Sequence, residues 1–429
     1  MNRLHRFLKT MTAAIVVAGA AFAFSPAAVA DTVTLKDGTV LDGTIIVETE
    51  SFLRIRIKIG GIETVRTFSK DDVSKIVRDT PGTSSGTSSS PAPTKPEKDM
   101  TKEEKKAESD RVLNSSATRV AILNFGAPSE WGKDVNDMVG REITAEDFRK
   151  AIPLLEKDKV QVVVIRINSG GGALSEMEPF QKLFQNEYKT RFRTVAWVES
   201  AISCAAMSPW PIEEWYFLPN GNVGACTGWY GNLTAVKGAQ LEMVIALMET
   251  ASKWGKRDPA IMKAMQIQVP LSATIDPVTG EVHWFQDTTG EHLVNAGNHI
   301  LTLTAQDAIK YKFGKGIAAT KEELAKVMGL GEVVWAGEEA SRFIDDQLKK
   351  SDRAHRQWQV VAQQYTIQMQ YASQAQDPDT RGGFLGKARR YLEELRSLYR
   401  VNKNFGMFTG IDQEWFDQQE ELIRRLARR

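Results

Sequence analysis

Two stretches of the 429-residue chain combine residue types and spacing that could do chemistry. The first is residues 162–172, VVVIRINSGGG. An apolar strand runs directly into Gly170, Gly171 and Gly172, and a helix is predicted to start near Ser175. Glycine reaches backbone conformations closed to other residues. Amide N–H groups in such a loop can point at an anion with no side chain in the way. That suits an oxyanion hole or a phosphate cradle. A tight strand-to-helix turn that merely needs glycine would read the same way.

The second stretch is residues 199–207, ESAISCAAM, after another apolar strand. Small residues crowd Ser203. A serine at a strand-to-helix corner exposes its hydroxyl at the end of the sheet, beside the first N–H groups of the helix. The pattern is not the Gly-x-Ser-x-Gly elbow of α/β-hydrolases. The alternative role for Ser203 is that of a helix N-cap.

A nucleophilic serine needs a base. His283, His292, His299 and His355 all lie 80 or more residues beyond Ser203, and none sits in a motif. Lys237 is the other candidate. Residues 237–254 have helical periodicity, with Leu241, Val244, Ile245, Met248, Ala251 and Ser252 on one face. At about 100° per residue Lys237 falls about 40° from Leu241, within that stripe, whereas Lys253 falls about 120° away on the solvated side. A lysine on a buried face loses hydration, which favours its neutral, basic form. The competing expectation is a lysine at the helix start that snorkels into water.

The elements that must hold these residues are legible as strand–helix alternation. Residues 120–125, 160–167 and 194–198 read as buried strands, and 143–155 as a helix between the first two. Such alternation predicts parallel pairing with crossover connections. Residues 31–79 alternate differently. Leu53, Ile55, Ile57 and Ile59 face one way, Arg54, Arg56 and Lys58 the other, with turns predicted at Asp37-Gly38 and Gly60-Gly61. This predicts a small SH3-like or Sm-like barrel. Between the two, residues 80–110 form a predicted linker; in 80–96, fifteen of seventeen residues are Pro, Ser, Thr or Gly. Residues 331–429 are rich in Gln, Arg and Glu, and Trp415, Leu422 and Leu426 recur at helical spacing.

Composition narrows the function. The chain has 55 Lys and Arg against 54 Asp and Glu. With residues 1–30 set aside, 52 basic groups face 54 acidic ones. That balance argues against a nucleic-acid partner. Two cysteines exclude a disulfide scaffold and a multi-cysteine metal site, and His-Glu-x-x-His is absent, so no metal is expected. No Gly-x-x-x-x-Gly-Lys-Ser/Thr loop is present, so neither ATP nor another cofactor is expected. Arg3, Arg6 and Lys9 precede an apolar run from about Met11 to Phe24, shorter than the roughly 20 residues a membrane span takes. With Ala28-Val29-Ala30 as the cleavage site, residues 1–30 read as a signal peptide, predicting an exported protein, periplasmic or extracellular, without a span in its mature form. Export permits a disulfide between Cys204 and Cys226; two buried thiols fit the sequence equally well.

Residues 118–330 resemble the signal peptide peptidase A and NfeD-type serine peptidases of the ClpP/crotonase fold. RINSGGG (166–172) is similar to that family's Arg-Ile-Asn-Ser-Pro-Gly-Gly, and AISCA (201–205) to its Ala-Ala-Ser followed by small residues. Counting on without a gap, Pro219 and Gly224 fall where the family has a proline and a glycine. LTAQDAI (303–309) and GKGIA (314–318) match two later segments in order. The resemblance implies a peptidase domain over residues 115–330, acting on a protein or peptide substrate and assembling as a homo-oligomer. It implies Ser203 as nucleophile, Lys237 as general base, the N–H groups of Gly171 and Cys204 as oxyanion hole, and Gly170 and Gly172 as substrate contacts. The position where the ClpP branch carries its histidine is occupied by Gly228-Trp229-Tyr230, so a Ser-His-Asp triad is not implied. Departures are Gly170 in place of proline, Ile202 in place of alanine, Cys204 and Ala205 in place of the usual small pair, and Pro209 and Pro211, which should end the nucleophile's helix after about two turns.

The expected architecture is therefore α/β, a ClpP/crotonase-like core of parallel strands and helices, with an all-β barrel before it and a helical tail after it. The expected function is an exported Ser/Lys endopeptidase. The alternative is a catalytically inactive scaffold or peptide-binding protein on the same fold.

Overall fold

The computed structural model describes residues 31–36, 40–48, 52–59, 62–69, 73–77, 117–132, 135–230 and 234–429. The expected signal peptide, the Asp37-Gly38 and Gly60-Gly61 turns and the linker lie outside the described residues. The chain divides into two units, residues 1–96 and 97–429.

In the first unit β1 (Asp31–Leu35), β2 (Val40–Glu48), β3 (Phe52–Ile59), β4 (Ile62–Ser69) and β5 (Val73–Val77) form one antiparallel sheet in the order β4-β3-β2-β1-β5. Among the described residues Val33, Leu53 and Ile55 are buried in it, as the alternation of apolar and charged positions requires.

The second unit is built on a seven-stranded sheet. Its strands are β6 (Thr118–Gly126), β7 (Val162–Ser169), β8 (Arg193–Ile202), β9 (Glu214–Gly224), β15 (Thr302–Thr304), β16 (Gly316–Ile317) and β17 (Val333–Trp335). Strands β6 to β9, β16 and β17 pair in parallel; β15 alone runs antiparallel, on β9. The parallel strands are apolar on both faces because both are covered. Val163, Ile165 and Ile167 point into the main core with Phe125, Phe148 and Phe180, while Val162 and Val164 pack on the other side with Val195, Trp197 and Leu324.

Helices α1 (Ala145–Lys157) and α2 (Met177–Leu183) lie between β6, β7 and β8 in sequence, and the single turn α3 (Cys204–Met207) follows β8. Thr144 caps α1 by accepting the Asp147 N–H. The chain then forms a short hairpin, β10 (Trp229–Tyr230) and β11 (Thr234–Ala235), and helices α4 (Gly238–Trp254) and α5 (Pro259–Gln266). A separate antiparallel sheet follows, β12 (Pro270–Ile275), β13 (Val282–Phe285) and β14 (His292–Ala296), which the sequence reading did not anticipate. Helices α6 (Ala305–Lys310) and α7 (Lys321–Val327) complete the α/β body.

The C-terminal region is helical: α8 (Glu338–Gln374), α9 (Pro378–Tyr399), α10 (Phe405–Thr409) and α11 (Gln413–Ala427). The boundary expected at 330 falls inside the α/β body. β17 pairs with β6, and the start of α8 buries Ala340, Ile344 and Leu348 in the main core. The rest of α8 forms a second core with α9, α10 and α11 around Trp358, Tyr365, Leu392, Phe405 and Phe416.

Candidate active site

The expected strands and glycines converge at one end of the sheet. β8 ends at Ile202, and Ser203 occupies the corner before α3 with φ 56° and ψ −128°. That combination belongs to the first central position of a type II′ turn, which glycine dominates. A serine held there is strained, and such strain concentrates at functional sites. Its N–H donates to Gly224 O at 3.0 Å, which fixes the corner against the end of β9. Ser203 is the N-cap residue by position, but its side chain makes no capping hydrogen bond. The hydroxyl is therefore not accounted for by the capping role. The helix it opens is shorter than expected, one turn rather than two, and gives way to Pro209–Pro211.

The chain reversal after α3 is held by Arg257. Its guanidinium lies 5.2 Å from the ring centroids of Trp210 and Trp215 and 4.9 Å from that of Phe313. It donates to Trp210 O at 2.8 Å and Ile212 O at 2.7 Å. No feature of the sequence singled this arginine out.

Gly171 has φ +106°, and a Cβ built on it would lie 2.6 Å from Ser203 Cβ and 3.1 Å from Ser203 Oγ. Glycine is required here both for the conformation and for the approach of the backbone to the hydroxyl. Gly172 is constrained by close contact with the Val139 backbone. Gly170 faces open space, with nothing within 4 Å of a built Cβ. Val139 bridges this loop: its N–H donates to Gly171 O at 2.9 Å and its carbonyl accepts from Ala173 N–H at 2.8 Å.

The two N–H groups expected to form an oxyanion hole differ. Cys204 is the first residue of α3, where a helical N–H has no intrahelical acceptor. The Gly171 N–H donates to Ser169 Oγ at 3.2 Å, and that hydroxyl in turn donates to Asp137 O at 2.7 Å. Ser169 is thus a member of the site that the sequence reading passed over, although it stands in the same motif.

Of the two expectations for Lys237, the structure matches the exposed residue at the helix start. It is the N-cap of α4 in extended conformation, φ −135°, and its side chain is exposed. The buried face of α4 is Val244, Met248, Ala251 and Ser252; Leu241 is half-buried. The expected burial of Lys237 beside Leu241 and Met248 is therefore corrected. The residue lies one position before the helix, where the rotation of the helix does not apply. The backbone still ties it to the serine's end of the sheet. The Val236 N–H donates to Gly228 O at 2.8 Å, four residues beyond the Gly224 carbonyl that holds Ser203. Val236 also lines a groove of about 370 Å³ with Leu174, Met177, Gln240, Met243 and Val244, immediately after Gly172. Among the described residues no carboxylate lies within ion-pair distance of Lys237.

The histidines are elsewhere. His283 and His292 lie on β13 and β14, His299 is exposed in the following turn, and His355 is on α8 against Phe405. Both cysteines are free and buried, which decides between the two expectations for them. Burial pushes the Cys204 thiol up to about 12 and raises that of Cys226 as well. Neither is ionised near neutrality, so neither has the thiolate a cysteine nucleophile requires. Among the described residues there is no cluster of His, Cys, Asp or Glu able to hold a metal ion, and no helix long and apolar enough to cross a membrane.

No family model and no curated protein matches the chain. Among solved structures it is similar to the 1510-N membrane-bound stomatin-specific protease. A serine-to-alanine mutant of that protease aligns at 16% identity over 49% of this chain and 84% of its own, with a TM-score of 0.34. A lysine-to-alanine mutant in complex with a substrate peptide aligns at 17% identity over 54% and 99%, TM-score 0.35. The 1510-N membrane protease specific for a stomatin homolog from Pyrococcus horikoshii aligns at 16% identity over 49% and 79%, TM-score 0.31.

Proposed function

We propose that the chain is an exported serine endopeptidase of the ClpP/crotonase type, using Ser203 and Lys237 to hydrolyse peptide bonds of a protein or peptide substrate and working as a homo-oligomer. The observation that carries this reading is the strained Ser203 corner with the Gly171 backbone against its hydroxyl. Lys237 Nζ takes the proton from Ser203 Oγ as Oγ attacks the substrate carbonyl carbon. The negative charge that develops on the carbonyl oxygen is met by the N–H groups of Cys204 and Gly171. The leaving amine collects the proton from Lys237, and a water activated by the same lysine then releases the acyl group. Hydrogen bonds to a charged acceptor are roughly twice as strong as neutral ones. An oxyanion therefore competes effectively with Ser169 Oγ for the Gly171 N–H. Lys237 is exposed in the free chain, so a substrate lying across the Leu174–Val236 groove is what would strip its water.

The commitment of the Gly171 N–H to Ser169 favours a second reading, a peptide-binding scaffold without catalysis. A fluorophosphonate probe on the full chain separates the two. Labelling that disappears in Ser203→Ala supports the peptidase. A folded chain that stays unlabelled at Ser203 removes it.

A further inference from the structure

We infer that Asn404, in the turn before α10, is a positioning residue: through it the helical C-terminal region holds the Gly171–Gly172 loop in place. The loop has two supports. On one side Val139 pairs with Gly171 and Ala173, as described above. On the other side Glu176, three residues beyond Ala173 and 2% exposed, accepts the Ala145 N–H at 2.8 Å. The Asn404 side-chain nitrogen donates to both supports at once, to Gly140 O at 3.0 Å and to Glu176 Oε2 at 2.8 Å. These partners lie 264 and 228 residues away in sequence.

Neighbouring residues close the same joint. Asn402 Nδ2 donates to Arg141 O at 2.8 Å and to Ser351 Oγ at 2.8 Å, and Ser351 Oγ donates to Arg141 O at 2.6 Å. The 138–142 turn is thus fastened by the tail on its outer side while its Val139 fastens the glycine loop on its inner side. Buried polar groups in such a network depend on one another's presence, because a partner left unpaired in a low-dielectric site is destabilised. The tail's own core around Trp358 and Phe416 is separate from the main core. Removing one amide therefore loosens the joint and leaves both cores intact. The effect on catalysis rests on the Ser203 reading; the mechanical coupling does not.

The test uses the full chain and two readouts. In Asn404→Ala, amide hydrogen exchange followed by mass spectrometry should accelerate by about fivefold or more in segments 137–143 and 170–176, the change expected for one lost hydrogen bond. The second-order rate of fluorophosphonate labelling at Ser203 should fall roughly tenfold or more, since small misplacement of a reacting group is costly. Asn404→Asp, which keeps the size but puts a carboxylate against Glu176, should do the same. Gln357→Ala, elsewhere on α8, should change neither. Unaltered exchange in both segments overturns the coupling. Faster exchange with an unaltered labelling rate overturns the positioning role. If the wild-type chain itself is not labelled, the peptidase reading fails, and the exchange data alone decide whether the tail holds the loop.

Discussion

Gly171 and Ser203 stand so close that a methyl group on the first would sit 3.1 Å from the hydroxyl oxygen of the second. The two residues come from different strand ends, and their contact depends on the parallel pairing of β7 with β8. Gly171→Ala should therefore abolish labelling of Ser203 and destabilise the fold by about 1–3 kcal/mol, the range for a residue forced into a sparsely populated conformation. Gly170→Ala, one residue away in open space, should leave thermal stability close to wild type. Equal behaviour of the two variants in unfolding and labelling would contradict this geometry.

Ser203 itself should trade stability for function. Its φ of 56° is unfavourable for a residue with a Cβ and neutral for glycine. Ser203→Gly should stabilise the chain by about 1 kcal/mol relative to Ser203→Ala while both lose labelling. Thermal unfolding of the two variants measures the difference, and a less stable glycine variant would show that the corner is relaxed.

The base is tested by lysine replacement. Lys237→Ala should lower the labelling rate by about 10²-fold or more, the range for a lost general base. Lys253→Ala, exposed near the far end of α4, should keep it. With a peptide substrate, combining Lys237→Ala with Ser203→Ala should be scarcely worse than Ser203→Ala alone, because the two act as a unit. Equal losses at both lysines would exclude Lys237.

Both thiols should be silent in the folded chain. Burial pushes Cys204 up to about 12 and raises Cys226 too, so neither presents a thiolate at pH 8. Iodoacetamide should modify neither in native buffer and both in denaturant. Modification of Cys204 in the native chain would mean that α3 opens.

His355 gives the fold a dependence on acid. Burial, with Arg141 nearby, holds its imidazole below the ordinary value of 6.5; the Ser351 carbonyl and Asp352 oppose this. Its Nδ1 donates to Ser351 O at 2.9 Å, and its buried Nε2 has no partner among the described residues. The unfolded chain takes up this proton as pH falls through about 6.5, and the folded chain resists until lower pH, so stability is lost over that interval and is unaffected above it. Burial raises the neighbouring Glu142 carboxyl, which acts in the opposite sense. The His355 contribution is therefore read from the difference between wild type and His355→Gln. Thermal unfolding between about pH 5 and 7.5 should show a shallower decline in the variant.

The parallel strands, the glycine loop and the serine corner were legible because each is a local pattern: an unbroken apolar run, three adjacent glycines, small residues around a hydroxyl. Strand and helix ends shifted by one to several residues, as with β7 at Val162–Ser169 and α1 at Ala145–Lys157. Of the two expectations for Lys237, burial fails for a definable reason. The apolar stripe of α4 was extended back onto a residue that is a cap, and a cap with φ −135° does not share the helix's rotation. Asn404, Arg257 and Val139 left no local trace. Their roles come from contacts across the fold, such as the 264-residue reach from Asn404 to Gly140, and no window on the sequence contains both partners.

The pairing of β17 with β6 has a consequence for how the chain is made. Val120 lies opposite Trp335, so one edge of the central sheet stays unpaired until residue 335 has been synthesised. At about 5–20 residues per second, that interval is on the order of 10–40 s. Throughout it, the Thr118–Val120 end of β6 has no strand partner on that side. Until its own last strand arrives, that short edge is open to pairing with a neighbouring chain instead.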